Sequence, residues 1–144
     1  MKKTVLFICT HNSARSQMAE GFLNAFYGDR FEGYSAGVEP SEVNPNVIKA
    51  MADVGIDLSK HRSKSIEEFR GKIFNYVVTV CDHAKEICPF FPGEKILHKS
   101  FDDPSEFKGS EEEILSKTRR VRNEIRDWIV KTFKNSEKKI VAGL

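Results

Sequence analysis

Three cysteines, one arginine and a pair of adjacent aspartates are the residues of this 144-residue chain whose types and spacing can do chemistry. Cys9-Thr10-His11-Asn12-Ser13-Ala14-Arg15-Ser16 places a thiol, five intervening residues, a guanidinium and a hydroxyl in one run. A Cys-x5-Arg spacing alone arises easily by chance. Here the apolar run Val5 to Ile8 precedes it and an amphipathic pattern follows, so it reads as a loop joining a buried strand to a helix. Such a loop aims several backbone N–H groups at one spot, with the positive end of the helix dipole behind them. A tetrahedral oxyanion fits there, bound along Thr10, His11, Asn12, Ser13, Ala14, Arg15 and Ser16, and the guanidinium fork of Arg15 can hold two of its oxygens. The same field favours the thiolate of Cys9, the nucleophilic form, and Ser16 is placed to donate a hydrogen bond to it.

The elements that must position these residues follow from the hydrophobic pattern. Val5 to Ile8 is a continuous apolar run, the mark of a strand buried on both faces. A helix is expected from Ser16 to Tyr27, with Met18, Ala19, Phe22, Leu23 and Phe26 inward. Phe31 to Ala36 reads as a second strand. Pro45 suits the first turn of a helix carrying Val47, Ile48, Met51 and Val54 inward and stopped by Gly55. Ser65 to Arg70 reads as a short capped turn, and Phe74 to Val80 is the strongest strand signal in the chain. A short helix-like stretch follows Cys81 and ends at Pro89. Lys95 to Leu97 reads as a fourth strand, and a long helix runs from Ser110 to Phe133 with Ile114, Leu115, Val121, Ile125, Trp128 and Ile129 inward. Strands alternating with helices give a three-layer α/β fold, a four-stranded parallel sheet with helices on both faces. Ligands of such sheets bind beyond the carboxyl ends of the strands, where Cys9 and Cys81 both fall.

Hydrophobic residues are 40% of the chain and charged residues 31%, a balance that favours a folded core over disorder. With 23 basic against 21 acidic side chains, the net charge of +2 gives no reason to invoke nucleic acid or an anionic membrane. The apolar start is cut short at Cys9 with no small-residue cleavage site, so it reads as a strand, not a signal peptide. No apolar run approaches the ~20 residues of a membrane span. A cytoplasmic protein is expected. In that compartment an odd number of cysteines points to reactive thiols and not to a permanent disulfide framework.

Cys88 lies just before Pro89, a helix-like stretch away from Cys81. If a helix joins the two, their Cα atoms stand ~10 Å apart along its axis, beyond the ~7 Å that a disulfide allows. A bridge between them requires that helix to unwind. Zinc held by Cys81, His83, Cys88 and His98 matches no common ligand spacing, so no metal is expected. His83 and His98 read as solvent-facing; His61 could support the loop but reads better as a satisfied structural histidine.

Cys9 to Gly21 resembles the signature of the low-molecular-weight tyrosine phosphatase superfamily, and Gln17-Met18-Ala19-Glu20 resembles its arsenate reductase branch. Tyr34-Ser35-Ala36-Gly37, Val43-Asn44-Pro45 and Phe101-Asp102-Asp103-Pro104 resemble the same branch at matching places. The similarity covers almost the whole chain. It implies one phosphatase-like catalytic domain over residues 1–134 and a tail over 135–144, acting as a monomer. It further implies reduction of arsenate, with phosphate as its analogue: Cys9 attacks, Asp103 is the general acid, and a Cys9, Cys81, Cys88 relay carries the disulfide outward to thioredoxin or another thiol reductant. Asp102 reads as a loop-stabilising neighbour. The resemblance gives Asn12, Glu20 and Ser35 to support of the loop, where some members add a potassium ion. Those members carry an acidic ligand where this chain has Lys64, so no cofactor is expected here. His11 stands where many members have glycine, and Ala14 where some have a further cysteine. The alternative is a low-molecular-weight phosphatase acting through a cysteinyl-phosphate, with Cys81 and Cys88 structural; its aromatic wall after Asp-Pro is replaced here by Ser105-Glu106-Phe107. A non-catalytic oxyanion sensor is a third reading, disfavoured by the presence of nucleophile, arginine and acid together.

Overall fold

A computed structural model describes residues 2–82 and 93–134. Strand β1 (Lys3–Cys9) is buried from Val5 to Cys9, as its unbroken apolar run requires. Helix α1 (Arg15–Tyr27) leads to strand β2 (Phe31–Gly37), and helix α2 (Pro45–Ala52) follows with Pro45 at its start and Asn44 capping it. A 3-10 turn (Ile66–Phe69) precedes strand β3 (Phe74–Thr79); strand β4 (Gly93–His98) and a 3-10 turn (Pro104–Glu106) lead to the long helix α3 (Glu111–Phe133). Ser110 and Glu113 form a reciprocal capping box at the start of α3, satisfying two otherwise unpaired N–H groups.

The four strands are parallel in the order β2-β1-β3-β4. The chain moves to one side of β1 to form β2, then crosses to the other side to form β3. The strand order therefore reverses between β1 and β3, and a crevice opens beyond their carboxyl ends. Cys9 ends β1 opposite Gly37, and Val80 extends the β3 pairing by donating its N–H to the Ile8 carbonyl at 2.9 Å.

Phe133 packs its ring against Phe7, Phe31 and Tyr76, fixing α3 to one face of the sheet beside α1. Phe69 closes the opposite face through Tyr34. These are the three layers expected from the sequence. Two inward assignments fail. Phe26 is 44% exposed because the last turn of α1, Asn24 to Phe26, runs past the buried stripe, and its ring rests on Phe22 and Tyr27. Val54 is 40% exposed because α2 ends at Ala52, before the helical register reaches it. Ile48, Ile114, Leu115 and Trp128 are only half-buried. The stretch after Cys81, with His83 and Cys88, and the tail over 135–144 lie outside the described residues. Among the described residues, no helix is long and apolar enough to cross a membrane.

Candidate active site

The loop between β1 and α1 is shaped by the donors around it. The carbonyls of Cys9, Thr10 and His11 accept from the N–H groups of Val38, Glu39 and Ser41 at 3.3, 2.7 and 3.2 Å. Ser63 Oγ also donates to the His11 carbonyl, at 2.6 Å. Gln17 Nε2 donates to the Asn12 carbonyl at 3.3 Å, and Asn44 N–H to that of Ser13 at 2.9 Å. In a trans peptide the N–H points opposite to the C=O, and no peptide here is cis. With the carbonyls drawn outward, the N–H groups of the loop turn inward to a common centre. Asn12 adopts φ +50° to make the turn, a conformation that asparagine tolerates better than most residues. Helix α1 has neither a side-chain cap nor an acidic residue in its first turn, so its leading N–H groups also face that centre.

Gly37 lets the loop lie so close to the sheet. A Cβ there would stand 2.7 Å from Asn12 N, 2.8 Å from the His11 carbonyl carbon and 2.8 Å from Thr10 O.

Around the thiol, Ser16 Oγ lies 2.9 Å from Cys9 Sγ and accepts from Asn12 Nδ2 at 2.8 Å. The oxygen already has a donor, so its own proton is available to the sulfur. Arg15 donates through Nη1 to the Phe101 carbonyl at 3.2 Å and pairs through Nη2 with Asp103 Oδ2 at 3.3 Å. Its Nε is buried without a protein partner among the described residues, a donor held ready for an anion. Asp103 Oδ1 caps the 3-10 turn by accepting from Ser105 N–H at 3.0 Å, which orients the other oxygen towards Arg15. Asp102, which also lines the cleft beside the loop, pairs with Arg120 at 3.2 Å. Cys81 is buried, with its Sγ 3.3 Å from Thr10 Oγ1. A small hollow lined by Cys9, His11, Ser13, Ala14, Arg15, Asp103 and Ser105 adjoins a cleft of about 410 Å³ that reaches Cys81 and Glu106.

Behind the loop lies a polar cage. Asn12 Oδ1 accepts from Lys64 N–H and Gln17 Nε2 at 2.8 and 3.0 Å. Glu20 accepts from Ser35 Oγ at 2.7 Å. The His61 Nδ1 lies 3.0 Å from Gln17 Oε1 and 3.4 Å from Glu20 Oε2. Both are acceptors, so Nδ1 carries the proton. Lys64 Nζ sits 3.9 Å from Glu20 Oε1 and donates to the Arg62 carbonyl at 3.2 Å. Burial lowers the Lys64 amine from its ordinary value, the Glu20 carboxylate partly opposing it. The structure thus gathers Asn12, Glu20 and Ser35, and adds Gln17, His61, Ser63 and Lys64 to them. Gln17 stands in the run Gln17 to Glu20 that resembles the reductase branch, but nothing in the sequence gave it a role in supporting the loop. His98 is exposed, as expected, and its ring nitrogens also lie 2.7 Å from Thr79 Oγ1 and 3.0 Å from Asp82 Oδ1, because β4 pairs beside β3 in that register.

The family model for low molecular weight phosphotyrosine protein phosphatases matches residues 4–140. The chain belongs to that family. Within it, an arsenate reductase of Halalkalibacterium halodurans is 46% identical over 138 residues, 95% of this chain and 99% of the relative. Among solved structures, a low molecular weight protein tyrosine phosphatase from T. tengcongensis superposes with a TM-score of 0.75 at 27% identity, over 93% of this chain and 99% of that one. A thioredoxin-dependent arsenate reductase of Corynebacterium glutamicum gives 0.61 at 30% identity, over 89% of this chain and 62% of that one. As a member of the low molecular weight phosphatase family, this chain shares its fold both with a hydrolase and with reductases.

Proposed function

We propose that this chain reduces arsenate to arsenite through Cys9 and a disulfide relay. The observation that carries the reading is a second buried thiol at the oxyanion loop, with Cys81 Sγ against Thr10 Oγ1 at 3.3 Å. A cysteinyl-phosphate hydrolase needs one thiol at this place, whereas a two-electron reduction ending in a disulfide needs two. The similarity to arsenate reductases over nearly the full length supports the same choice.

Arsenate lies in the loop, held by the inward N–H groups and the guanidinium of Arg15. The Cys9 thiolate attacks arsenic, and Asp103 gives its proton to the departing oxygen, which leaves as water. Cys81 then attacks the sulfur of Cys9. The electrons of the sulfur–arsenic bond pass to arsenic, which departs as arsenite, and a Cys9–Cys81 disulfide remains. Cys88 attacks Cys81, frees the Cys9 thiolate and leaves a Cys81–Cys88 disulfide. An external dithiol, thioredoxin or another thiol reductant, takes up that oxidation; the resemblance to a thioredoxin-dependent enzyme supports thioredoxin.

Phosphomonoester hydrolysis is the second reading, favoured by the Arg15–Asp103 pair at the loop and by the likeness to a tyrosine phosphatase. The same positioning and charge stabilisation serve phosphoryl transfer. Among the described residues, Ser105 and Glu106 stand at the mouth after Asp103-Pro104 and Phe101 lines the cleft, so weak activity on aryl phosphates is expected.

Cys9→Ser and Cys88→Ser separate the two. Cys9→Ser loses both activities. Cys88→Ser loses multiple-turnover arsenate reduction with thioredoxin while keeping hydrolysis of p-nitrophenyl phosphate. Normal turnover by Cys88→Ser would sink the relay.

A further inference from the structure

His11 lines both the closed hollow over Cys9 and the open cleft beside it, together with Arg15 and Asp103. Its ring is not free to rotate. Nδ1 lies 2.8 Å from the carbonyl oxygen of Glu39, and a carbonyl only accepts, so Nδ1 carries the proton. The backbone beneath is fixed as well, because the His11 carbonyl accepts from Ser41 N–H and Ser63 Oγ. Nε2, on the far side of the ring, has no protein partner among the described residues. In the neutral imidazole that nitrogen is an acceptor with no proton to give.

We propose that His11 is a specificity-determining residue of the oxyanion loop, whose fixed Nε2 acceptor favours an oxyanion bearing a hydroxyl over one that bears none. The loop N–H groups, the dipole end of α1 and the Arg15 guanidinium are all donors. Donors grip any tetrahedral anion of the right charge. An acceptor at the rim tells anions apart, because it is satisfied by an As–OH or P–OH proton and repelled by a bare oxygen. Hydrogen arsenate and hydrogen phosphate carry that hydroxyl. Sulfate does not, and neither does a phosphomonoester dianion. His11 thus favours inorganic arsenate over the esters that a phosphatase would take. It does not separate arsenate from phosphate.

This inference rests on the oxyanion-site reading above, and direct binding keeps the two apart. Isothermal titration of the full reduced chain with phosphate and with sulfate, at mildly alkaline pH where both are dianions and only phosphate holds a hydroxyl, uses a pair matched in size and charge. Wild type should prefer phosphate, and His11→Gly should reduce the phosphate-to-sulfate affinity ratio roughly tenfold, one hydrogen bond to a charged ligand. His11→Ala serves as a second variant if glycine loosens the loop, with an unchanged melting temperature as the check on folding. Asp103 is the other acceptor on the rim, so Asp103→Asn runs alongside. An unchanged ratio in both His11 variants, or a preference that vanishes with Asp103→Asn alone, overturns the role of His11. Wild type that binds neither anion overturns the oxyanion site itself.

Discussion

Asn12, Ser16 and Cys9 form a chain in which each hydrogen bond fixes the direction of the next. The Asn12 amide must present its oxygen to Lys64 N–H and Gln17, so its nitrogen donates to Ser16, and Ser16 is left with one proton for the sulfur. Ser16→Ala removes that donor and exposes nothing new to water. Alkylation of Cys9 by iodoacetamide should slow about tenfold, as should arsenate reduction, the scale of one bond to a charged sulfur. At the back of the loop, the Lys64 ammonium already stands opposite the Glu20 carboxylate. Exchanging potassium for sodium should therefore leave the steady-state rate unchanged; a large loss in sodium would mean that a metal cation competes for the place. Lys64 also has a pH signature. Burial lowers its folded pKa below the ordinary 10.5. In the window just below 10.5 the unfolded chain then holds more protons at this site than the folded one, so stability rises with pH there. Lys64→Met should flatten that alkaline rise in melting temperature relative to wild type.

At the scale of elements, the approach of β2 to the loop is a tight constraint. Gly37 is opposite Cys9 in the β1–β2 register, and all three atoms that a Cβ would strike belong to the loop backbone. Gly37→Ala cannot be relieved by a rotamer change, so the loop must shift. A cost of ~1–3 kcal/mol in urea unfolding is expected for such overpacking, with a larger proportional loss of phosphate affinity, since the inward N–H groups move with the backbone. Retained affinity in a destabilised protein would show that the loop does not depend on this contact. The strands and α1 were legible because their signals are local: an apolar run, a helical stripe, a proline at a helix start. Cys9, Arg15 and Ser16 were legible for the same reason, since one loop contains them all. The roles of Gln17 and Ser63 were not, and for His61 support of the loop was the lesser of two readings. Their work depends on contacts such as His61 to Gln17 and Ser63 to His11, separations of 44 and 52 residues that no local pattern encodes. The contact of His98 with Thr79 was not legible either, because only the pairing of β3 with β4 brings Thr79 to its ring.

For the molecule as a whole, the proposed relay asks a buried residue to become reachable. Cys81 is 2% exposed and rests on Thr10 at the carboxyl end of β3, and the next residue, Asp82, is tied to β4 through His98. An external reductant needs the Cys81–Cys88 disulfide at the surface, and the two Cα atoms must come within ~7 Å of each other. Oxidation should therefore pull Cys81 off Thr10 and break the Asp82–His98 contact. The core strand β1 and the aromatic cluster around Phe133 need not move, because their burial does not involve the Cys81 side of the crevice. Hydrogen exchange of the oxidised and reduced protein checks this division. Amides of Val80, Cys81 and Asp82 should lose protection on oxidation, while those of Val5 to Ile8 keep theirs. The His98 ring resonances should shift between the two states as its carboxylate partner departs. A Cys88→Ser protein treated with the same oxidant should show neither change at the segment, since Cys81 then has no partner beyond the loop. Protection lost evenly through β1, β3 and α3 would mean global loosening instead, and the confined opening would be wrong.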